Sequence, residues 1–159
     1  MGHPTQPTPA QLRADVCKVA RSLVGIHEVP PHSNTGPPQV DGVGVRIIQG
    51  ATGAFGAPWC VSTVQYIWKR VLGSTWAQDT ANAYYLAEYA RESKRTLEAP
   101  VPGCAVVYHI GSGHAGTVVA LTGRTFEAIE GNEADAVRLM SRDPRTIGCT
   151  FILRPELHG

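Results

Sequence analysis

Up to about residue 98 the apolar side chains of this chain recur at spacings of three and four. From about residue 104 they come in short runs cut by glycine turns. The break is Glu98-Ala99-Pro100-Val101-Pro102-Gly103, where two prolines and a glycine interrupt regular structure. Helices first and a sheet second is the α+β pattern, and turns this short join antiparallel strands, since parallel strands need long crossovers. With 159 residues the chain is expected to form a single domain over 1–159, its core running from about 8 to 155.

Thr8 and Pro9 read as the cap and first residue of a helix whose apolar face is Leu12, Val16, Val19, Ala20 and Leu23, ending at Gly25. Cys17 shares this helix and is read as packing. Glu28 to Pro38 is too rich in proline and turn formers for regular structure, and His27 and His32 there are read as solvated. Val40 to Gly50 is compatible with a short, weak helix. A third helix is expected from a cap at Asp79 or Thr80 through Tyr84, Leu86 and Ala90. Strands are expected at 104–109, 114–121, 125–129, 137–140 and 149–153.

Between these helices lies Gly56-Ala57-Pro58-Trp59-Cys60-Val61, a small-residue loop running into an apolar stretch. Pro58 suits the opening of a helix, Val61, Val64, Ile67, Trp68, Val71 and Leu72 continue it, and Gly73 caps it. Cys60 therefore falls in the first turn. Unpaired N–H groups and the positive end of the helix dipole favour a thiolate there, the reactive form of cysteine. A buried small hydrophobe is the other common fate of a free cysteine, so the partners decide.

A thiolate nucleophile needs a nearby base, and the base needs a polar group that holds its ring. His114 opens a strand after a glycine turn, and Glu130-Gly131-Asn132 ends the next strand. With a hairpin loop at Thr122-Gly123-Arg124, Leu121 pairs with Thr125, Gly116 faces Glu130 and His114 faces Asn132. His114, Glu130 and Asn132 then share one face and one end of the sheet. The expected nucleophile, Cys60, is placed at the surface.

Pro58-Trp59-Cys60 opening a helix, Pro102-Gly103 before a strand, Gly113-His114-Ala115-Gly116-Thr117-Val118, and Ile129-Glu130-Gly131-Asn132 together resemble the CHAP cysteine amidohydrolases and peptidases. Those are papain-like enzymes of phage lysins and bacterial cell-wall remodelling. Order and spacing agree from about Glu28 to Pro155. The resemblance implies a papain-like fold, with the nucleophile at a helix N-terminus packed on the antiparallel sheet. It also implies a peptidoglycan hydrolase, amidase or endopeptidase, with Cys60 as nucleophile, His114 as general base, and Glu130 and Asn132 as orienting groups.

Two departures from the family pattern shape the expectations. Many phage members carry an acidic calcium loop before the cysteine, whereas Gly53 to Trp59 holds no carboxylate, so no metal and no other cofactor is expected. Papain-like enzymes also place a side-chain amide shortly upstream of the cysteine as an oxyanion donor, and no Gln or Asn lies between Gln49 and Cys60. The Cys60 N–H supplies one donor. Asn34 is the candidate for the second, and Asn34 and Trp59 are the candidate substrate contacts. Trp76, Tyr84 and Tyr85 stand open between groove and core.

A formal charge of +1 carries no nucleic-acid footprint, and no run of residues is long and apolar enough to span a bilayer. Met1 to Thr5 lacks the pattern of an export signal, so synthesis in a host bacterial cytoplasm is expected, with action on the cell wall as a monomer. Four cysteines at 17, 60, 104 and 149 form no CxxC pair, which argues against a zinc knuckle. The alternatives are a non-catalytic peptidoglycan-binding component of a phage particle, which needs no reactive thiol, and an NlpC-type endopeptidase. The latter group usually shows Asp-Cys-Ser where this chain has Trp59-Cys60-Val61.

Overall fold

The computed structural model describes residue 2 and residues 5–159. Met1, His3 and Pro4, part of the stretch read for an export signal, lie outside the described residues. Four α-helices, α1 (Pro9–Ser22), α2 (Val45–Gln49), α3 (Cys60–Leu72) and α4 (Ala83–Glu92), precede a six-stranded antiparallel sheet. Its strands are β1 (Thr96–Leu97), β2 (Ala105–Tyr108), β3 (His114–Thr122), β4 (Thr125–Glu133), β5 (Ala136–Arg142) and β6 (Cys149–Ile152), in the spatial order β1-β6-β2-β3-β4-β5. This is the α+β arrangement, with the Cys60 helix packed on the sheet as in the papain-like fold. No helix among the described residues is long and apolar enough to cross a membrane.

Local chemistry sets the helix ends. Thr8 caps α1 in a reciprocal pair with Gln11, the hydroxyl accepting from the Gln11 N–H and the Gln11 side chain accepting from the Thr8 N–H. Gly73 ends α3 at φ +84, a conformation that costs glycine little. The first nine residues of α3, Cys60 to Trp68, are all buried, because the helix is packed by α1 and α2 and by β3 and β4. Burial on so many sides makes α3 the centre of the core and holds Cys60 in a fixed place.

Two elements differ from expectation. The cap of α4 is Asn82, whose side chain accepts from the Tyr85 N–H, in place of Asp79 or Thr80. Residues 77–79 instead form a 3₁₀ turn with positive φ at all three positions. The buried Gln65 amide binds both the N–H and C=O of Trp76 and the C=O of Thr80, so a long-range contact overrides the local cap signal. Strand β1 went unexpected because it has two residues and exists through pairing with β6.

The β3–β4 hairpin closes one residue tighter than expected, with Thr122 paired to Thr125 and Leu121 to Phe126. A bulge between Val118 and Ala120 then shifts the register, so that Thr117 pairs with Ile129. At the end carrying His114, the ladder is back in the register expected for Gly116 and Glu130. Gly131, on the opposite face of β4 from Glu130, lies against α3. A Cβ there would overlap the Thr63 side chain and stand 3.1 Å from the Trp59 ring. Gly131→Ala is expected to push β4 off α3 and cost about 1–3 kcal/mol, read as a lower melting temperature.

Candidate active site

Cys60 is the first residue of α3, so its N–H has no partner within the helix. It retains 9% of its surface and is not the open nucleophile expected, because α3 is packed to its very start. Trp59 precedes it with a fully buried side chain whose indole N–H donates to Glu28 Oε2 at 3.0 Å. That burial removes Trp59 as a substrate contact: its ring is core, and it seats the turn before Cys60.

The loops before Cys60 are braced by two buried polar side chains. Glu28 accepts from Trp59 and, through Oε1, from the Asn34 N–H at 2.7 Å. The Gln49 amide donates to the carbonyls of Asn34 (2.8 Å) and Ala57 (2.9 Å). Asn34 is thus held by its main chain at φ +53, and no hydrogen bond joins its side chain to Cys60. The Gln49 NH₂ is fully engaged in bracing and is not free to donate to an oxyanion.

His114, the first residue of β3, lies opposite Tyr108 of β2. Its Nε2–H donates to Glu130 Oε1 at 3.0 Å and lies 3.2 Å from Glu133 Oε2. The other ring nitrogen, Nδ1, takes no part in either contact. Burial of the ring works against its charge, but hydrogen bonds and attraction from Cys60 and Glu130 outweigh this and push the His114 pKa up to about 10. The shift favours the protonated ring, whose Nε2 faces the two carboxylates.

Glu130 is fully buried, which penalises its charge, yet hydrogen bonds from His114, Arg142 and Tyr108 hold its carboxyl below the usual range. The Tyr108 hydroxyl donates to Oε2 at 2.6 Å and Arg142 Nε to the same oxygen at 3.0 Å, while Arg142 Nη2 takes Oε1 and reaches Glu133 Oε2 at 3.3 Å. Gly116 makes room for this. A Cβ at Gly116 would sit 2.7 Å from Glu130 Cγ.

Asn132 has φ +57 within the irregular stretch between Glu130 and Glu133, and no hydrogen bond joins its side chain to His114. The ring contact expected of Asn132 is made by Glu130 and Glu133. Tyr108, Glu133 and Arg142 were missed by sequence reasoning. Tyr108 alone had a signal, since a hairpin turning at Gly111 to Gly113 sets it across from His114.

His114, Glu130 and Glu133 lie close enough to receive a cation. The Arg142 guanidinium already bonds both carboxylates, and the cluster is an internal ion-pair network. The other thiols are poorly disposed to ionise: burial pushes Cys104 up to about 12 and Cys149 up to about 11, and raises Cys17 as well. A cavity of about 580 Å³ between α1 and the C-terminal segment includes Cys17 and Arg13 but none of the site residues. Arg13 there is committed to the carbonyls of Leu157 and Gly159.

Among known families, the one described as CHAP domain matches residues 52–132, a span that includes Cys60, His114 and Glu130. No curated protein and no solved structure matches the chain.

Proposed function

The chain belongs to the CHAP domain family, whose match covers just over half of its 159 residues, and from that premise we propose that it hydrolyses amide bonds of bacterial peptidoglycan with a cysteine nucleophile. The observation that carries the reading is His114, its ring bonded to the buried Glu130 and its pKa raised by Cys60 at a helix start and by Glu130. In the proposed reaction the Cys60 thiolate attacks the carbonyl carbon, and the Cys60 N–H faces the developing oxyanion. The C–N bond then breaks as His114 passes its Nδ1 proton to the leaving amine. Water, deprotonated by the now neutral ring, hydrolyses the thioester and regenerates the thiolate–imidazolium pair.

The finer proposal is an endolysin-like enzyme of phage type, acting as a monomer on the N-acetylmuramoyl-L-alanine bond or within the stem peptide or cross-bridge. Asn132 keeps a proposed accessory role at the strand end. Mass spectrometry of digested peptidoglycan tests this, because a new amino terminus identifies the bond. No new termini with the wild-type protein would sink the reading. Chelation by EDTA is expected to leave the rate unchanged, as Gly53 to Trp59 offers no carboxylate to a hard cation. Recovery of a chelated enzyme by added calcium would contradict it.

A further inference from the structure

We propose that Arg142 is a positioning residue for the cysteine–histidine pair: its guanidinium fork fixes both oxygens of the Glu130 carboxylate, so the buried acid faces the imidazole as an anion. This rests on the catalytic reading of Cys60 and His114 given above. The register of the sheet makes Arg142 an unobvious choice, since the Cα partner of Glu130 on β5 is Arg138. Arg138 turns instead to the main chain, donating to the Glu133 and Ala134 carbonyls. Arg142, paired with Phe126 farther along the strand, reaches back across the face of the sheet with its guanidinium carbon 5.1 Å from the Tyr108 ring centre.

Every oxygen of Glu130 is thereby assigned. Oε1 takes His114 and Arg142, and Oε2 takes Tyr108 and Arg142. The charged and titratable groups around it are His114 from β3, Tyr108 from β2, Glu133 from β4, Arg142 from β5 and Cys149 from β6, with Cys60 of α3 behind His114. Among the described residues, Arg142 is the one permanent cation that binds the carboxylate. Without it, a carboxylate with no exposed surface would face Glu133 with only the titratable imidazolium to balance two acids, and protonation of Glu130 would release the ring. The bidentate geometry matters as well as the charge, because a fork restricts rotation of the carboxyl group and a point charge does not.

A double-variant cycle tests this by alkylation of Cys60 with iodoacetamide as a function of pH, beside turnover of purified peptidoglycan. Cys17→Ala and Cys149→Ala are built in throughout so that the signal comes from Cys60. Arg142→Gln is expected to raise the alkylation midpoint by about one pH unit and lower the neutral-pH rate about tenfold. In a Glu130→Gln background the same change should alter the rate by less than about twofold, because Arg142 then has no carboxylate to position. Should Arg142→Gln fail to fold, Arg142→Lys keeps the charge without the fork. It is expected to shift the midpoint in the same direction, again only where Glu130 is present. An unmoved midpoint in a folded Arg142 variant, or effects that multiply in the double variant, would overturn the proposal. Alkylation needs no substrate. A wild-type protein that cuts no peptidoglycan but shows the coupled cycle would fail the substrate reading and leave the role of Arg142 standing.

Discussion

Cys60→Ser is expected to reduce peptidoglycan turnover by about a thousandfold or more while leaving the fold intact. Oxygen for sulfur removes the proposed nucleophile, yet it changes little volume at a position that keeps 9% of its surface accessible. A serine hydroxyl is a far weaker nucleophile than a thiol at neutral pH, so attack on the amide is lost. The remaining cysteines are the control. Cys17→Ala, Cys104→Ala and Cys149→Ala should each retain turnover, and Cys104→Ala, fully buried, should cost about 1 kcal/mol or somewhat more. Rates measured beside melting temperatures separate the two effects. Full activity in Cys60→Ser, or lost activity in a folded variant of the other three, would place the nucleophile elsewhere.

What could be read from the sequence was whatever the local pattern dictates. The capped ends of α1 and α3 follow from Thr8, Pro9 and Gly73, and Cys60 at the start of α3 follows from the apolar period that begins beside it. The register of β3 on β4 was expected from a hairpin loop one residue too long, and the bulge near Val119 compensated that error at the His114 end. No pattern in the strand announces such a bulge. The network around Glu130 was illegible for a related reason. Arg138 and Arg142 have the same sequence character, and only the local fold of the Glu133–Ala134 turn, which occupies Arg138, leaves Arg142 as the partner. The cap of α4 and strand β1 depended likewise on distant groups, Gln65 in one case and β6 in the other.

The division of labour between Glu130 and Asn132 gives the second large effect. Glu130→Gln is expected to lower turnover by about a hundredfold or more, and Asn132→Ala by less than about tenfold. The difference follows from contact and charge: His114 Nε2 bonds a Glu130 oxygen, whereas Asn132 makes no bond to the ring. An amide at position 130 also leaves the Arg142 fork without its anion. Removal of the carboxylate should therefore lower the His114 pKa from about 10, and Asn132→Ala should leave it nearly unmoved.

The same shifts set the pH dependence of stability. His114 binds its proton more tightly folded than unfolded, so its contribution is fully present below its ordinary value of 6.5 and is lost as pH rises toward about 10. Glu130, held below its ordinary 4.5, contributes above that value and loses its contribution as pH falls through its lowered folded value. Glu130→Gln should remove the share of the acid-side loss that Glu130 carries and draw the His114 alkaline-side loss to lower pH. NMR titration of the His114 ring and melting temperatures across pH measure both ends. A His114 titration unmoved by Glu130→Gln, with activity collapsing in Asn132→Ala, would make Asn132 the orienting residue and reduce the Glu130–Arg142 pair to a structural ion pair of the sheet.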